Sequence, residues 1–188
     1  MKNLTKVIDE INKIKKENKA VVVAIDGRAA SGKTTAAKSI CDQLKYRAQV
    51  VHMDDFFLPM ELRTAERFNM PGGNFHFERF KKEVMPFLKG CKGFQYRKFD
   101  CSIMDYEKDV TIDDFDAIVV EGAYSNHPIL GEYADIKVFC DIKPEEQMRR
   151  IINRNGIKKA EMFKNRWIPL EEKYLKFYDI AQKAHIIL

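Results

Sequence analysis

A glycine-rich segment follows directly after an apolar run near the N-terminus. It fits the pattern G-x-x-x-x-G-K-[ST] and comprises Gly27, Arg28, Ala29, Ala30, Ser31, Gly32, Lys33 and Thr34. The apolar run, residues 20–25, predicts a buried parallel strand because it is rich in β-branched residues, and residues 34–44 predict a helix. Between a strand and a helix, such a loop points backbone N–H groups at an anion. The segment therefore predicts a phosphate-binding loop.

The side chains at the end of this loop suit a nucleotide that carries a magnesium ion. The Lys33 ammonium can neutralise charge on the β- and γ-phosphates, and the Thr34 hydroxyl is a hard oxygen ligand of the kind that Mg²⁺ prefers. We therefore expect the loop, together with Thr35, to bind ATP and Mg²⁺. A chance turn between a loop and a helix is the alternative, and the flanking strand and helix argue against it.

Further apolar runs alternate with helical patterns along the chain. They predict strands at residues 49–53, 117–120, 136–140 and 184–187. Strands that alternate with helices favour an α/β fold, so we expect a five-stranded parallel sheet with helices on both faces. The 188 residues suit a single domain. Residues 56–115, approximately, are too many for a simple crossover and predict an inserted region on the substrate side.

An amphipathic helix is predicted over residues 3–18, within an N-terminal segment that ends at residue 19. Its apolar stripe consists of Leu4, Val7, Ile8, Ile11 and Ile14, which recur at steps of three and four residues. We expect this helix to have a packing role.

Carboxylates stand where the predicted strands end, which is the edge at which ligands bind in doubly wound sheets. Asp54 and Asp55 follow the second strand, and Glu121 follows the third. Because side chains alternate along a strand, only one of the two aspartates can face a cleft. We assign Asp54 as the base that orients a substrate hydroxyl and accepts its proton, with a structural role in the turn as the alternative.

The same carboxylates are candidates for metal binding. Glu121 and Asp54, with the hydroxyl of Thr34, are the predicted ligands of Mg²⁺, which favours hard oxygen atoms. The alternative for Glu121 is an ordinary carboxylate at the end of a strand.

A basic helix is predicted in the C-terminal part of the chain. Residues 144–155 begin with a proline and two glutamates, as helices often do. Arg150 and Arg154 are four residues apart and share a helix face. If this face closes over the nucleotide, both guanidinium groups meet the charge of the transferring phosphoryl group, so residues 144–168, approximately, predict a lid. A solvated basic face is the alternative.

Composition argues against several other classes of function. The 33 Lys and Arg against 28 Asp and Glu give a net charge of +5, which suits a small anionic ligand but is below the excess expected for a nucleic-acid-binding protein. The cysteines and histidines lack the spacing of a metal site, which argues against a zinc site and against a disulfide framework. Without disulfides, we expect a cytoplasmic location. No apolar stretch is long enough to cross a bilayer, so we do not expect the chain to bind a membrane. Whether the chain forms a homo-oligomer stays open.

Five segments, taken in order, resemble one known family. They are GRAASGKT, HMDDFF, QYRKFD, VVEGAY and FCDIKPEEQMRRIINRN. From about residue 20 to the C-terminus, the chain resembles the uridine kinase family of P-loop kinases, in particular its short bacterial branch. The resemblance implies the three-layer P-loop NTPase fold. It also implies transfer of a phosphoryl group from ATP, with Mg²⁺, to a hydroxyl group of a small molecule, for which a nucleoside is the first candidate.

The resemblance implies roles for individual residues as well. It matches Asp54 to the family's catalytic base, Glu121 to the glutamate near the magnesium ion, and Arg150 and Arg154 to the lid arginines. With Lys33, these residues form the expected catalytic set. The residues expected around the substrate are Asp54, Phe57, Phe99, Asp100 and Tyr124.

Departures from the family pattern bear on the acceptor. Gly72, Gly73 and Asn74 stand in a region where uridine kinases carry an aspartate that holds the ribose hydroxyls, and Phe57 replaces their usual tyrosine. Because a site built on buried hydrogen bonds discriminates strongly by those bonds, we expect uridine to be a poor acceptor or to be bound by other contacts.

Arginines in the inserted region point to further alternatives. Arg63 and Arg67, with Arg97, predict either an acidic acceptor that they help to bind or a basic surface. A pantothenate-like or sugar-type acceptor is the close alternative to a nucleoside. An ATP-binding switch protein without transfer activity is the alternative from another class.

Overall fold

The computed structural model describes residues 2–16 and 19–188. Within these residues the chain forms seven β-strands, numbered in chain order: β1 Val21–Gly27, β2 Ala48–His52, β3 Phe94–Asp100, β4 Asp105–Ile112, β5 Ala117–Glu121, β6 Ile136–Cys140 and β7 Ile186–Ile187. Five of them form a parallel sheet in the order β2-β5-β1-β6-β7, and β3 pairs with β4 in an antiparallel hairpin. The predicted α/β fold with a five-stranded parallel sheet is confirmed.

Helices connect these strands. In the described part of the chain they are α1 Lys2–Ile14, α2 Lys33–Gln43, α3 Ala65–Asn69, α4 Phe77–Glu83, α5 Pro144–Asn155, α6 Ile157–Met162 and α7 Ile168–Phe177. A 3₁₀ turn, Met53–Phe56, follows β2, and a π-helical segment, Phe163–Trp167, joins α6 to α7. Among residues 2–16 and 19–188, no helix has the length and apolar character needed to cross a bilayer.

Strand β1 lies at the centre of the sheet because it is apolar on both faces. All of its residues are buried, and it pairs with β5 on one side and with β6 on the other. Val22 and Ala24 belong to one apolar cluster, whereas Val23 and Ile25 belong to the other. The loop that follows β1 is therefore held at the middle of the carboxyl edge of the sheet, where ligands bind in such folds.

The N-terminal helix α1 packs on one face of this sheet together with α2. Val7 and Ile11 are fully buried in the apolar cluster that also contains Val21 and Val23. The sequence predicts a helix over residues 3–18, but α1 ends at Ile14, which is 36% exposed and so contributes little to the packed stripe. Of the predicted residues, 17 and 18 lie outside the described part of the chain.

The inserted region between β2 and β5 contains an element that the sequence analysis missed. The hairpin β3–β4 shows the alternation of a half-buried strand, since Phe94 and Tyr96 are buried while Gln95 is exposed. Arg79, which is 4% exposed, fastens the hairpin to the turn after β2, because one nitrogen donates both to Arg97 O (2.8 Å) and to Asp55 O. The hairpin therefore helps to position the turn that carries the two aspartates.

The end of β1 generates a prediction about stability. Gly27 has a φ of 139°, and a Cβ atom at this residue would lie 2.1 Å from Cys140 O in β6. Gly27→Ala should therefore lower the free energy of unfolding by at least about 2 kcal/mol, measured by urea denaturation. Gly90→Ala is the matched control, because its Cβ would meet Phe87 O at an ordinary 3.5 Å. Equal stability of the two variants would contradict this account of β1.

Candidate active site

A cavity of about 780 Å³ opens at the carboxyl edge of the central sheet. We call it the cleft. Its walls come from the glycine-rich loop after β1, the turn after β2, the end of β5, the inserted region, and the segment from α5 to α7. The segments that the sequence singled out for chemistry therefore surround one space, although they are far apart in the chain.

The glycine-rich loop forms one end of the cleft. Its residues that line the cavity are Ala29, Ala30, Gly32, Lys33, Thr34 and Thr35. Helix α2 begins at Lys33, so the partial positive charge of its N-terminus adds to the exposed N–H groups of the loop. The Lys33 ammonium donates to Gly27 O (2.8 Å) and Arg28 O (2.9 Å), which holds the charge close to the loop. This end of the cleft suits phosphate groups.

Three residues predicted to bind the cofactor do not line the cleft. Gly27 is buried, and its N–H donates to the Asp26 carboxylate at 2.7 Å. The Arg28 guanidinium turns outward, where it pairs with Glu172 (2.6 Å) and with Asp141. Ser31 closes the loop by donating its N–H to Arg28 O at 3.1 Å. Two carboxylates therefore hold the Arg28 side chain outside the cleft, and a part for Arg28 in cofactor binding stays a prediction.

The turn after β2 separates the two neighbouring aspartates. Asp54 lines the cleft, whereas Asp55 is 7% exposed and accepts a hydrogen bond of 2.8 Å from the Tyr96 hydroxyl. Both lie in the 3₁₀ turn Met53–Phe56 and not in the strand itself, so their side chains leave the backbone in different directions. Asp54 is available to a substrate, and Asp55 braces the hairpin.

The surroundings of Asp54 alter its acidity. The side chain is exposed to the cleft, but the protein around the cleft displaces part of its water, and this desolvation raises its pKa. The positive charge of Lys33 acts in the opposite direction, while Glu121 adds to the rise. A carboxylate with a raised pKa is a stronger proton acceptor than a free aspartate.

Glu121, at the end of β5, connects the loop to the neighbouring strand. It is 5% exposed, and one of its oxygens accepts a hydrogen bond from the Thr34 hydroxyl (3.1 Å) and lies 2.6 Å from His52 Nδ1. This hydrogen bond raises the pKa of His52. His52 is not among the residues predicted from the sequence, although it ends the neighbouring strand β2 and pairs in register with Glu121.

The oxygen atoms at this place fit a magnesium ion. Thr34, Glu121 and Asp54 all line the cleft, and Mg²⁺ is typically held by one or two carboxylates, a hydroxyl and the phosphates of a nucleotide. In residues 2–16 and 19–188 no group of three or more His, Cys, Asp or Glu side chains is arranged to hold a metal ion by itself. Thr34, Glu121 and Asp54 would therefore hold Mg²⁺ only together with further oxygen atoms, such as those of nucleotide phosphates.

Helix α5 brings the two predicted lid arginines to the cleft. Both Arg150 and Arg154 line it, and Arg150 donates to Ala30 O of the loop at 3.2 Å. Gln147, on the same helix, is buried and donates to Ala29 O at 3.1 Å. Arg149 and Arg150 both pair with Glu146 at 2.7 Å, but Arg149 does not line the cleft. The helix face with the two cleft arginines is therefore attached directly to the glycine-rich loop.

Three of the predicted substrate residues line the cleft in addition to Asp54. They are Phe57, Arg63 and Tyr124. Phe57 follows the turn that carries Asp54, and Arg63 is fixed by a hydrogen bond from its Nε to Leu58 O (2.8 Å). Tyr124 lies in the loop after β5 with a φ of 75°. These residues bring the inserted region and the loop after β5 into the wall of the cleft.

The other predicted substrate residues do not line the cleft. Arg67 donates to Gly73 O (2.9 Å) and Phe75 O (2.8 Å) and pairs with Glu78, so it holds its own segment together. Phe99 is buried against the Tyr106 ring, with a centroid distance of 5.5 Å. Asp100 accepts the N–H of Ser102 at 2.6 Å in the hairpin turn. The structure does not bring these three side chains into the cleft, because local partners hold each of them.

Packing explains the two glycines that depart from the uridine kinase pattern. A Cβ atom at Gly72 would lie 2.5 Å from the His127 ring, and one at Gly73 would lie 2.0 Å from Arg67 O. Neither position has room for an aspartate. Asn74, by contrast, lines the cleft while 6% exposed.

Several residues of the cleft were missed by the sequence analysis. They are Phe68, Cys101, Met104, Met162, Phe163, Arg166, Trp167 and Glu171. Arg166 and Trp167 belong to the π-helical segment, and such segments are frequent at functional sites. The run FKNRW is basic and aromatic, but nothing in its spacing indicates which side chains turn inward.

Helix α7 places the carboxyl group of Glu171 in the cleft. It is 5% exposed, and its carboxylate accepts the N–H of Ala29 in the glycine-rich loop at 2.8 Å. Burial raises the pKa of Glu171 to about 7, against the opposing charge of Lys33 and the hydrogen bond from Ala29. The Glu171 carboxylate therefore fixes the glycine-rich loop at Ala29.

Comparison with curated proteins finds uridine kinases. The chain is 29% identical over 151 residues to the uridine kinase of Bacillus mycoides, a match that covers 73% of this chain and 68% of that protein. It is 26% identical over 153 residues to the uridine kinase of Ligilactobacillus salivarius, covering 74% and 68% respectively. No protein-family model matches the chain. The resemblance expected from the five sequence segments is confirmed.

Comparison with solved structures finds P-loop kinases. A protein described as a possible uridine kinase from Bacillus stearothermophilus has a TM-score of 0.70 at 21% identity, covering 100% of this chain and 97% of that one. The D-glycerate 3-kinase of Cryptococcus neoformans has a TM-score of 0.68 at 15% identity, covering 98% and 89%. These likenesses establish the fold, in agreement with the three-layer architecture expected from the sequence.

The raised pKa of Glu171 predicts a pH-dependent contribution to stability. The ordinary pKa of about 4.5 in the unfolded chain rises to about 7 in the folded protein, so between these pH values the folded state binds more protons. Stability from this group is therefore lost as pH rises from about 4.5 to about 7. In Glu171→Gln this loss should be absent, and the variant should gain up to about 3 kcal/mol relative to the wild type across that range.

Urea denaturation at several pH values measures this difference. Glu161→Gln is the matched control, because Glu161 is exposed on the neighbouring helix α6. The control should follow the wild-type curve. A constant offset between Glu171→Gln and the wild type at every pH would contradict the prediction.

Proposed function

We propose that this relative of the uridine kinases, a phosphotransferase with a hydroxyl group as acceptor, transfers the γ-phosphoryl group of ATP to a small molecule with the help of Mg²⁺. A single observation carries the proposal: a phosphate-binding loop, a carboxylate of raised pKa and two lid arginines line one cleft. Phosphoryl transfer needs an anion cradle, a group that orients the nucleophile, and positive charge at the transferring group. The uridine kinase relatives support the same class of reaction.

In this proposal the glycine-rich loop and Lys33 hold the β- and γ-phosphates. The N–H groups at the start of α2 and the ammonium of Lys33 would bind the phosphate oxygens by charge-assisted hydrogen bonds. A magnesium ion, held by Thr34 and Glu121 with Asp54 beside them, would neutralise part of the phosphate charge. The short distance between the Thr34 hydroxyl and Glu121 (3.1 Å) supports this ligand set.

Asp54 has the role of the base. Its carboxylate would accept a hydrogen bond from the acceptor hydroxyl, orient that oxygen toward the γ-phosphorus, and take its proton as the new bond forms. Its position in the turn after β2, where it lines the cleft, supports this role. The neighbouring Asp55 instead accepts a hydrogen bond from the Tyr96 hydroxyl.

Arg150 and Arg154 have the role of stabilising charge on the transferring group. Both guanidinium groups line the cleft from α5, and Arg150 already contacts the loop at Ala30 O. We infer that the segment from residue 144 to about 168 acts as a lid that excludes water from the cleft. Exclusion of water strengthens these electrostatic interactions and prevents transfer to water in place of the acceptor.

A nucleoside is the acceptor that the names of the curated relatives support. Two observations favour another small molecule with a hydroxyl group: packing excludes an aspartate at Gly72 and Gly73, and Phe57 has no hydroxyl to offer. A pure ATP-binding switch is less well supported, because it would not need Asp54 in the cleft.

Nucleotide binding should depend on Lys33. Lys33→Ala leaves phosphate charge uncompensated, so affinity for ATP with Mg²⁺ should fall at least about 10-fold and turnover should nearly disappear. Isothermal titration calorimetry measures the first effect, and ADP formation measures the second. Lys38→Ala, on the exposed side of the same helix, is the matched control and should bind ATP normally. Unchanged ATP affinity in Lys33→Ala would refute the nucleotide site.

Transfer, but not nucleotide binding, should depend on Asp54. The amide of Asp54→Asn keeps the shape of the side chain but cannot accept a proton as the carboxylate does, so turnover should fall about 10²- to 10⁴-fold while ATP affinity is retained. The acceptor is found by screening nucleosides and other hydroxyl metabolites with ATP and Mg²⁺ for ADP formation.

Asp55→Asn is the matched control for this substitution. It alters the neighbouring residue, whose carboxylate contacts Tyr96 outside the cleft, so it should affect stability more than transfer. A wild-type transfer rate in Asp54→Asn would identify another residue as the base.

A further inference from the structure

Arginines in this protein follow a simple rule of pairing. Most of them have a carboxylate within 4.0 Å among the described residues, namely Arg28, Arg47, Arg67, Arg79, Arg97, Arg149 and Arg150. In the same part of the chain, the exceptions are Arg63, Arg154 and Arg166. All three of these line the cleft. The guanidinium groups without a carboxylate partner are thus gathered in one place.

Arg154 belongs to the lid face that serves the transferring phosphoryl group, but Arg63 does not. Arg63 lies in the inserted region, on the wall that also carries Phe57. Its Nε donates to Leu58 O at 2.8 Å, which fixes the plane of the guanidinium and leaves its two terminal nitrogens to other partners. A fixed fork of two N–H donors matches the two oxygens of a carboxylate or phosphate.

Arg63 shares the cleft with the group proposed to receive the acceptor hydroxyl. Asp54 lines the cleft from the turn after β2, and Cys101 lines it from the hairpin turn between β3 and β4. A small molecule bound in this cavity of about 780 Å³ can therefore contact Asp54 and Arg63 together.

Arg166 also lines the cleft and contacts the inserted region that carries Arg63. It belongs to the π-helical segment, and its guanidinium carbon lies 5.0 Å from the centroid of the Phe68 ring. Phe68 is on α3, which begins two residues after Arg63. Arg166 is also 4.9 Å from the Trp167 ring, so aromatic faces and not carboxylates hold its charge.

We infer that the acceptor of this enzyme carries an anionic group, a carboxylate or a phosphate ester, which Arg63 and Arg166 bind while Asp54 receives the hydroxyl. The inference rests on the proposed phosphoryl transfer. Neither guanidinium group pairs with a carboxylate of the described residues, and an anionic ligand supplies the partner that both lack. A neutral nucleoside would leave both guanidinium groups unpaired.

Binding of small anions by the full-length chain tests this inference. D-glycerate, glycerol 3-phosphate, glycerol and uridine are titrated by calorimetry, with and without a non-hydrolysable ATP analogue and Mg²⁺. With the analogue bound, the glycine-rich loop is filled, so anion binding reports on the acceptor side. We expect D-glycerate or glycerol 3-phosphate to bind more tightly than glycerol, and comparison of the two distinguishes a carboxylate from a phosphate ester.

Substitution of the arginines identifies the binding groups. Arg63→Ala and Arg166→Ala should each weaken anion binding at least about 10-fold, because each substitution removes charge-assisted hydrogen bonds to the anion. Arg166 is exposed and makes no hydrogen bond to the described residues, so that variant tests the inference even if Arg63→Ala folds poorly. Arg47→Ala removes the same charge outside the cleft and should bind the anions as the wild type does.

The outcomes separate this inference from the proposed function. Failure of the ATP analogue to bind would contradict the proposed function, while the titrations without analogue would still compare Arg63→Ala and Arg166→Ala with the wild type. If the analogue binds but neither anion does, or if the anions bind equally to the wild type and both cleft variants, the inference is wrong. Uridine binding that is tighter than anion binding and insensitive to both substitutions would also overturn it.

Discussion

The buried carboxylate of Asp26 is the interaction on which the arrangement of the cleft depends. It is fully buried at the end of β1 and accepts four hydrogen bonds: from Gly27 N (2.7 Å), Tyr124 N (3.2 Å), Asn126 N (2.9 Å) and the Tyr174 hydroxyl (2.7 Å). Burial raises its pKa, and these hydrogen bonds oppose the rise. One side chain therefore joins the start of the glycine-rich loop, the loop after β5 and helix α7. Each of these segments carries residues of the cleft, so their mutual placement follows from the satisfaction of a single buried group.

Helix α7 extends this connection to the lid side. Tyr174 contacts Asp26, and Glu171, one turn earlier, contacts Ala29 of the glycine-rich loop. The same helix continues directly from the π-helical segment that brings Arg166 and Trp167 into the cleft. The donor and acceptor sides of the cleft are thus attached to one helix, although the chain between the loop and this helix is more than a hundred residues long. Rigid attachment of this kind holds reacting groups in a defined geometry.

The cleft also concentrates features that are unfavourable for stability. Ala30 and Tyr124 both line it and have positive φ angles of 59° and 75°, which are uncommon for residues other than glycine. Burial raises the pKa of Asp54 and brings that of Glu171 to about 7, so both acids resist the charged state. Backbone strain and poorly solvated carboxylates are typical of functional sites, where the surrounding structure maintains them. In this protein the two apolar clusters on either side of the sheet provide that support.

The sequence by itself determined the parts of this protein that depend on local patterns. The apolar run before Gly27 and the helix from Lys33 follow from neighbouring residues, as do α5 and the parallel sheet, because periodicity and helix signals act over a few residues. Only the tertiary structure decided which charged side chains enter the cleft. Arg63 and Arg67 are four residues apart and equally basic, yet Arg63 reaches the cleft while Glu78 and two carbonyl groups hold Arg67 outside it. Glu171 and Arg166 gain their positions from contacts with distant segments. Such contacts depend on packing between residues that are far apart in the chain, so the local spacing of residues does not predict them.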